Sequence, residues 1–346
     1  MHPAPYMDRM LAFLEREYTI RVLYNTLADK YKSWDNYTGT EGMLFRDISL
    51  GSLIRLVMES DFVVVGGWAS WDCIKLILLS RFFLKKVAVF SDCPMNVDTH
   101  SAKYWFKRLF LFNLINYIFC ATTSTRTVYS EQYKVDKSRL FFFPYAVDFP
   151  GKSRMDPINL KRKEALRETG SLPRILVSNS FYGRKGYEVL LAAFRELEAE
   201  RLLDNFEITL AGAGEEFDHY RNLFNDLSPR IAFPGWLEYD RYIREMENTD
   251  IYIHPSLFEP FGIPPIEAMA RGKLCIVSDG VQSTSMLMVN GKNGYVYPAS
   301  DAGQLAGIIK NLIIEDIYEI GKNASEKVTE LYSYNNYSSV LHDCLS

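Results

Sequence analysis

The chain has no pair of cysteines at metal-binding or redox spacing. Its five cysteines, Cys73, Cys93, Cys120, Cys275 and Cys344, are scattered without a C-x-x-C, and five is odd. That argues against a zinc site and against a disulfide framework, and for reduced thiols in a cytosolic setting. No secretory signal is expected from the opening residues. No apolar run is long enough to span a bilayer. The longest candidate, Leu109 to Ala121, is short and carries Asn113 and Asn116. Low-complexity tracts are absent. Neither sign of charge dominates, and a net charge of −4 gives no signal for a nucleic-acid partner. The charge is unevenly placed, however. Residues 1–150 carry 18 Lys+Arg against 15 Asp+Glu, and the remainder 21 against 28. An anionic surface would be met by the first half.

What is present suits two ordinary domains. A chain of 346 residues can bury two full cores, and its 14% aromatic content points to large cores or binding surfaces. Short β-rich runs alternate with longer helical patterns. Expected strands are Thr19 to Tyr24, Phe62 to Val65, Val87 to Phe90, Tyr117 to Cys120 and Leu140 to Phe143 in the first half. In the second half they are Arg174 to Val177, Glu207 to Ala211, Ile231 to Phe233, Ile251 to Ile253 and Leu274 to Val277. Such alternation predicts α/β units, each a parallel sheet wrapped by helices. Glycines follow several of these strands, where ligands of open α/β sheets bind. Residues 151–172, polar with Pro157 among them, read as a linker between a domain over 1–150 and one over 173–330.

The most informative stretch is His254 to Gly272, HPSLFEPFGIPPIEAMARG. Glu259 and Glu267 stand in the pattern E-x7-E, separated by Phe261-Gly262 and Pro264-Pro265. An apolar strand precedes them. Proline fits the first turn of a helix, so the segment reads as strand, glycine loop and helix start. The dipole end of such a helix favours an anion. Two carboxylates for hydroxyls beside backbone donors for phosphate suit a sugar nucleotide. The structural alternative is a dipole-favoured Glu267 and an exposed loop charge at Glu259.

These residues resemble the E-x7-E motif of retaining glycosyltransferases of the GT-B fold, in the large family numbered four. The resemblance is strongest over 173–297 and weaker over 1–150. It implies two Rossmann-like parallel-sheet domains facing across a cleft, with residues 331–346 forming a closing helix that returns to the first domain. By resemblance, Lys185 in Gly183-Arg-Lys-Gly186 meets the donor diphosphate, and Arg184 substitutes for an arginine that the family has where this chain has Ser180. Glu267 holds the ribose hydroxyls and Glu259 lies nearer the donor sugar. The Phe261 and Gly262 amides meet sugar or phosphate, and Gly212 and Gly214 keep side chains away from the nucleotide. Trp236 and Leu237 border the base, although Trp236 serves equally well as a core anchor. The family's histidine after the fourth strand is missing. Asp92 is the polar group there, and it either serves the chemistry or caps the next helix. His254 and His100 read as structural. Pro3-Ala-Pro-Tyr6 resembles a loop of one branch of the family, in which a strand precedes it. Either the start is clipped by about one strand or the first domain lacks a central strand; losing a buried parallel strand is costly, so a clipped or mis-assigned start is expected.

No Asp-x-Asp occurs, which agrees with a metal-independent reaction without a cofactor, the nucleotide-sugar being a co-substrate. The expected acceptor is a glycan or lipid-linked glycan in surface polysaccharide assembly, with uridine diphosphate as donor base. Rival readings are a sugar phosphorylase, a nucleotide-sugar epimerase and a non-catalytic scaffold. The basic, aromatic stretch Lys103 to Phe119 could rest on an anionic leaflet, placing the protein peripherally at the inner face of the plasma membrane. The competing reading is a buried helix, because residues 109–119 are apolar nearly all round.

Overall fold

The computed structural model describes residues 5–24, 42–68, 70–94, 97–147, 149–228, 230–284, 287–312, 314–332 and 335–346. The chain divides into two compact units, Met1–Val147 with Tyr332–Ser346, and Asp148–Leu331.

In the first unit, β1 (Val22–Tyr24) and β2 (Gly42–Leu44) form a parallel pair of their own. The main sheet has four parallel strands in sequential order: β3 (Phe62–Val65), β4 (Lys86–Ser91), β5 (Tyr117–Cys120) and β6 (Leu140–Phe142). Val87, Ala88, Val89, Ile118, Phe119 and Cys120 are all fully buried. Such continuous apolar runs are what a parallel sheet covered on both faces requires. Each crossover helix starts at a hydroxyl side chain that accepts a backbone N–H three residues on: Ser70 from Cys73, Ser101 from Tyr104 and Thr122 from Thr125. The helix Asn335–Leu345 belongs to this unit, with Tyr337 against Phe143 and Lys86 Nζ donating to the Cys344 carbonyl. Pro3 and Ala4 of the Pro-Ala-Pro-Tyr stretch lie outside the described residues. Pro5 and Tyr6 open the helix Pro5–Leu14 instead of forming a loop.

The second unit is one parallel sheet of six strands: β7 (Arg174–Ser178), β8 (Glu207–Ala211), β9 (Ile231–Gly235), β10 (Ile251–His254), β11 (Leu274–Ser278) and β12 (Tyr295–Tyr297). Their spatial order is β12-β11-β10-β7-β8-β9. The chain therefore builds outward from β7 in one direction, then returns to build outward from β10 in the other. The seam between β7 and β10 is a topological switch point, where the connecting loops diverge and leave a crevice at the strand carboxyl ends.

The expected linker is a correction. Residues Lys152–Glu168 form a helix counted with the second unit. The segment is rich in Lys, Arg, Glu, Leu and Ala, all good helix formers, and Pro157 removes a single helical bond near its start. Polar composition misled because this helix is held by polar contacts. Arg162 forms a bidentate pair with Asp250 at 2.7 and 3.3 Å, and Asn159 donates to the Arg271 carbonyl and accepts from Lys273. Asp250 also accepts from the Arg174 N–H and from Tyr318. Strands β2 and β12, of three residues each, were not expected. Among the described residues no helix is long and apolar enough to cross a membrane.

The Arg162–Asp250 pair is almost fully buried on the Asp250 side. Removing one partner of such a pair strands the other charge. Arg162→Met is expected to lower stability by about 3 kcal/mol, the low end of the range because Tyr318 and the Arg174 N–H still serve Asp250. Urea unfolding with an unchanged midpoint would show that the helix does not depend on this pair.

Candidate functional site

Three strand exits converge at the switch point. Strand β7 ends at Ser178 and gives way to a single helical turn, Gly183–Lys185, before the helix Tyr187–Ala199. The buried Phe181 ring stacks on Tyr187 at 4.1 Å and fixes this loop. The exit of β10 runs alongside, with the Leu257 N–H donating to the Arg184 carbonyl. On its other side the exit of β11 is stitched to it: the Glu259 N–H donates to Gly280 and the Gln282 N–H to Glu259. Backbone bonds on both sides therefore fix Glu259 before its side chain makes any contact.

The ammonium of Lys185, itself buried, pairs with Glu259 Oε2. His254 Nε2 stands 3.8 Å from the same oxygen. Burial opposes ionisation of Glu259, but His254 and the Lys185 charge outweigh it, and the carboxyl is held down at about 2. Burial pushes the His254 imidazole below its ordinary value despite the carboxylate. The ring is held on both sides. The Tyr252 hydroxyl lies 3.0 Å from the Ser178 carbonyl and 3.2 Å from His254 Nδ1. Nε2 faces Glu259 and stands 3.4 Å from the Asn179 amide nitrogen. The Asn179 amide is oriented independently, since its Oδ1 accepts the Ser180 N–H while Nδ2 donates to Ser256 at 2.9 Å.

Eight residues beyond Glu259, Glu267 lies in the helix Ile263–Ala270 and is buried. Its Oε2 accepts from the Tyr242 hydroxyl at 2.8 Å, and Oε1 lies 3.4 Å from the Tyr239 hydroxyl. Burial, reinforced by the Glu267 charge, raises the Tyr242 phenol far above its usual value, so it remains a donor. The helix starts at Gly262, whose φ of 91° places it in the left-handed region. A Cβ there would stand 3.2 Å from Glu259 Cγ and 3.0 Å from Val281 Cγ1. The proline pair also limits the expected anion site. Pro264 and Pro265 contribute no N–H, so two of the four donors at a helix start are missing.

The other expected residues fare differently. Arg184 does not join Lys185. It is exposed and reaches the Phe258 carbonyl at 3.3 Å, because adjacent residues of a helical turn diverge. Gly212 and Gly214 make room for protein backbone: Cβ atoms there would lie 1.9 Å from the Asn179 carbonyl and 2.4 Å from that of Phe181. Phe261 and Leu237 are buried, and Trp236 is half-buried at the β9 exit. Asp92 follows β4 in the other unit, with Ser91 Oγ donating to its carbonyl. The next described helix is capped by Ser101, so the capping alternative for Asp92 is not realised there. Sequence reasoning missed Asn179, Tyr239 and Tyr242. Asn179 was visible as a polar residue at a strand end. The tyrosines carried only a three-residue spacing on a helix, which says nothing of what they face.

Comparison with known proteins bears on the fold. Residues 159–330 match the family model described as Glycosyl transferases group 1. The phosphatidyl-myo-inositol mannosyltransferase of Mycolicibacterium smegmatis is 33% identical over 148 residues, 42% of this chain and 37% of that protein. The glycogen synthase of Clostridioides difficile is 29% identical over 188 residues, 51% of this chain and 38% of that protein. The chain thus spans less than half the length of these relatives. Among solved structures, Anabaena HepE in complex with UDP superposes with a TM-score of 0.72 at 16% identity, covering 99% of this chain and 96% of that one. The lipopolysaccharide outer core galactosyltransferase WaaB gives 0.68 at 14% identity, over 98% and 94%. The fold is the GT-B class, with two Rossmann-like units.

The carboxyl of Glu259 falls on folding from an ordinary 4.5 to about 2. A group depressed in this way stabilises fully above its unfolded value, and the contribution is lost as pH falls through the folded one. Between pH 4.5 and 2 the parent should lose about 1–3 kcal/mol from this source, and Glu259→Gln should show a shallower decline over the same window. Parallel pH profiles of urea midpoints for the two proteins would contradict the assignment.

Proposed function

We propose that the protein is a retaining glycosyltransferase that moves a sugar from a nucleoside diphosphate donor to a glycan or lipid-linked acceptor. One observation carries the reading: Lys185 and Glu259 meet at the switch point of a Rossmann-like sheet, with Glu267 held by tyrosines one helical segment away. Support for a uridine diphosphate donor comes from the solved neighbours, since HepE is described in complex with UDP and with UDP-glucose. The names of relatives support sugar transfer onto lipid-borne and glycan acceptors, as in the phosphatidyl-myo-inositol mannosyltransferase and the poly(glycerol-phosphate) α-glucosyltransferase of Bacillus subtilis.

In this reading Glu267 accepts the two ribose hydroxyls with the lone pairs that Tyr242 leaves available. Lys185 exchanges partners. Its ammonium turns from Glu259 to the donor diphosphate and stabilises the charge that grows as the bond from the sugar carbon to phosphate breaks. The released Glu259 carboxylate then accepts hydroxyls of the sugar. The acceptor oxygen forms its bond to the same carbon on the same face, and its proton passes to the leaving phosphate. No protein nucleophile is required, and neither is a divalent cation, so turnover should survive exhaustive chelation.

The two glutamates should separate in calorimetry and kinetics. Glu267→Ala should weaken uridine diphosphate binding by about ten- to a hundredfold. Glu259→Gln should do the opposite to binding, because it leaves Lys185 without its internal competitor, and affinity for the diphosphate should rise. Turnover with a sugar donor should nevertheless fall by about 10²–10³. A Glu259→Gln protein that turns over at the parent rate would leave a binding scaffold as the better reading.

A further inference from the structure

Eight of the thirteen large exposed apolar residues described in the first unit lie on two of its segments. Trp71, Leu78, Phe82 and Leu84 come from the helix Trp71–Phe82 and the turn after it. Trp105, Phe106, Leu109 and Phe110 come from the next crossover, which runs from Ala102–Phe106 through a π-turn at Lys107–Leu111. Phe82 is 78% exposed and Phe110 61%. By contrast, only Leu160, Leu257 and Val289 are large exposed apolar residues in the described part of the second unit.

The two segments are neighbours. Each joins adjacent parallel strands in the order β3-β4-β5, and right-handed crossovers put both on the same face of the sheet. Arg81 from the first reaches Asn116 just beyond the second at 3.4 Å. Within each segment the exposed residues share a side. Trp71, Lys75, Leu78 and Phe82 recur at helical spacing, as do the pairs Trp105-Phe106 and Leu109-Phe110, while Tyr104, Leu111 and Phe112 face the core. The π-turn matters here. It inserts an extra residue into the helical repeat, so the exposed side stays apolar in a segment whose inner side is already filled. The competing reading of a buried helix with one polar edge is corrected on this point, since Leu109 and Phe110 are exposed.

The same segments carry Lys75, Arg81, Lys85, Lys86, Lys103, Lys107 and Arg108 against one acid, Asp72. Asp72 faces Lys75 at 3.4 Å. The other cations meet no carboxylate among the described residues. Lys85 and Lys86 donate to neutral carbonyls, and Lys107 and Arg108 lie over the Trp68 and Trp105 rings at 5.3 Å. Among the described residues no carboxylate compensates their charge.

We infer that this face docks on a bilayer containing anionic lipid, with the aromatic residues at the headgroup boundary and the cations against lipid phosphate. Aromatic side chains beside lysine and arginine are the composition of an interfacial surface, whereas lysine is depleted from the centre of protein interfaces. The chemistry thus favours lipid over a protein partner. The inference is independent of any donor or transfer reaction.

Vesicle sedimentation tests it on the whole chain. The protein should sediment with phosphatidylcholine vesicles containing phosphatidylglycerol, not with phosphatidylcholine alone, and should be released by high salt. Lys103→Gln with Arg108→Gln should weaken binding by roughly thirtyfold, the scale of two cations near a charged leaflet. Phe82→Ser with Phe110→Ser should weaken it by at least about tenfold while leaving the melting temperature unchanged, since both rings are exposed. Brominated lipid should quench tryptophan fluorescence, and Trp71→Phe with Trp105→Phe should remove that quenching. Equal binding to neutral vesicles, no binding at all, or a solution dimer dissolved by the Phe82 and Phe110 changes would each overturn the proposal, the last by naming a second copy as the occupant.

Discussion

The reversal of strand order between β7 and β10 is the constraint on which the candidate site depends. These strands are far apart in sequence yet adjacent in the sheet, with Ile251 opposite Ile175. Because both run parallel, their carboxyl ends lie side by side, and the chain leaves them in opposite directions. Lys185 and Glu259 come from those two exits and from nowhere else in the fold could they meet. The ion pair is thus a consequence of topology, and the close packing there has a steric counterpart: a Cβ on Gly186 would lie 1.9 Å from the Pro255 carbonyl. Any side chain at that glycine would push the two exits apart and separate the charges.

The two ends of the same sheet use buried charge for different purposes. At the amino ends Asp250 is saturated by Arg162, Tyr318 and the Arg174 N–H, and Lys273 donates to Asn159 and to the Glu247 carbonyl. Burial still draws Lys273 down to about 7. These groups are satisfied by protein alone, as structural charges must be. At the carboxyl ends Lys185 and Glu259 are each the other's counter-charge at a place where open α/β sheets admit ligands. A pair of this kind keeps both ions charged in the absence of ligand, and it can be exchanged for a ligand that offers equal charge. Anchoring at one end and exchange at the other require the same residue types, and only the partners distinguish them.

That distinction explains what could be read from the sequence. The strands of both main sheets other than β12 were legible because parallel strands buried on both faces are continuous apolar runs. Glu259, Glu267 and Lys185 were legible because glycine and proline punctuate the loops that carry them. The helix Lys152–Glu168 was not, since its anchors Arg162 and Asn159 are polar residues that look solvated until Asp250, Arg271 and Lys273 are seen opposite them. Tyr242 was not legible either, because a tyrosine on an amphipathic helix is usually core, and its partner Glu267 lies 25 residues on. Gly212 and Gly214 carry a related ambiguity. A glycine announces that something comes close, without saying whether that is a ligand or the Asn179 and Phe181 carbonyls.

The electrostatics of Glu259 limit what its environment can be doing. A carboxyl held at about 2 is a poor base and remains ionised at any physiological pH. Its neighbour His254, buried and drawn down in turn, is held by Tyr252 on its Nδ1 side with Nε2 facing the carboxylate. The carboxyl is not poised to exchange a proton near neutrality, which would require a value close to the working pH. General acid–base work by Glu259 is therefore disfavoured by the same value that makes it a good fixed charge. What remains is electrostatic: a permanent negative centre that holds a buried lysine in place until another anion takes the lysine over. A transfer reaction in which the leaving group carries its own acceptor for the proton is the kind of chemistry that such a site can support.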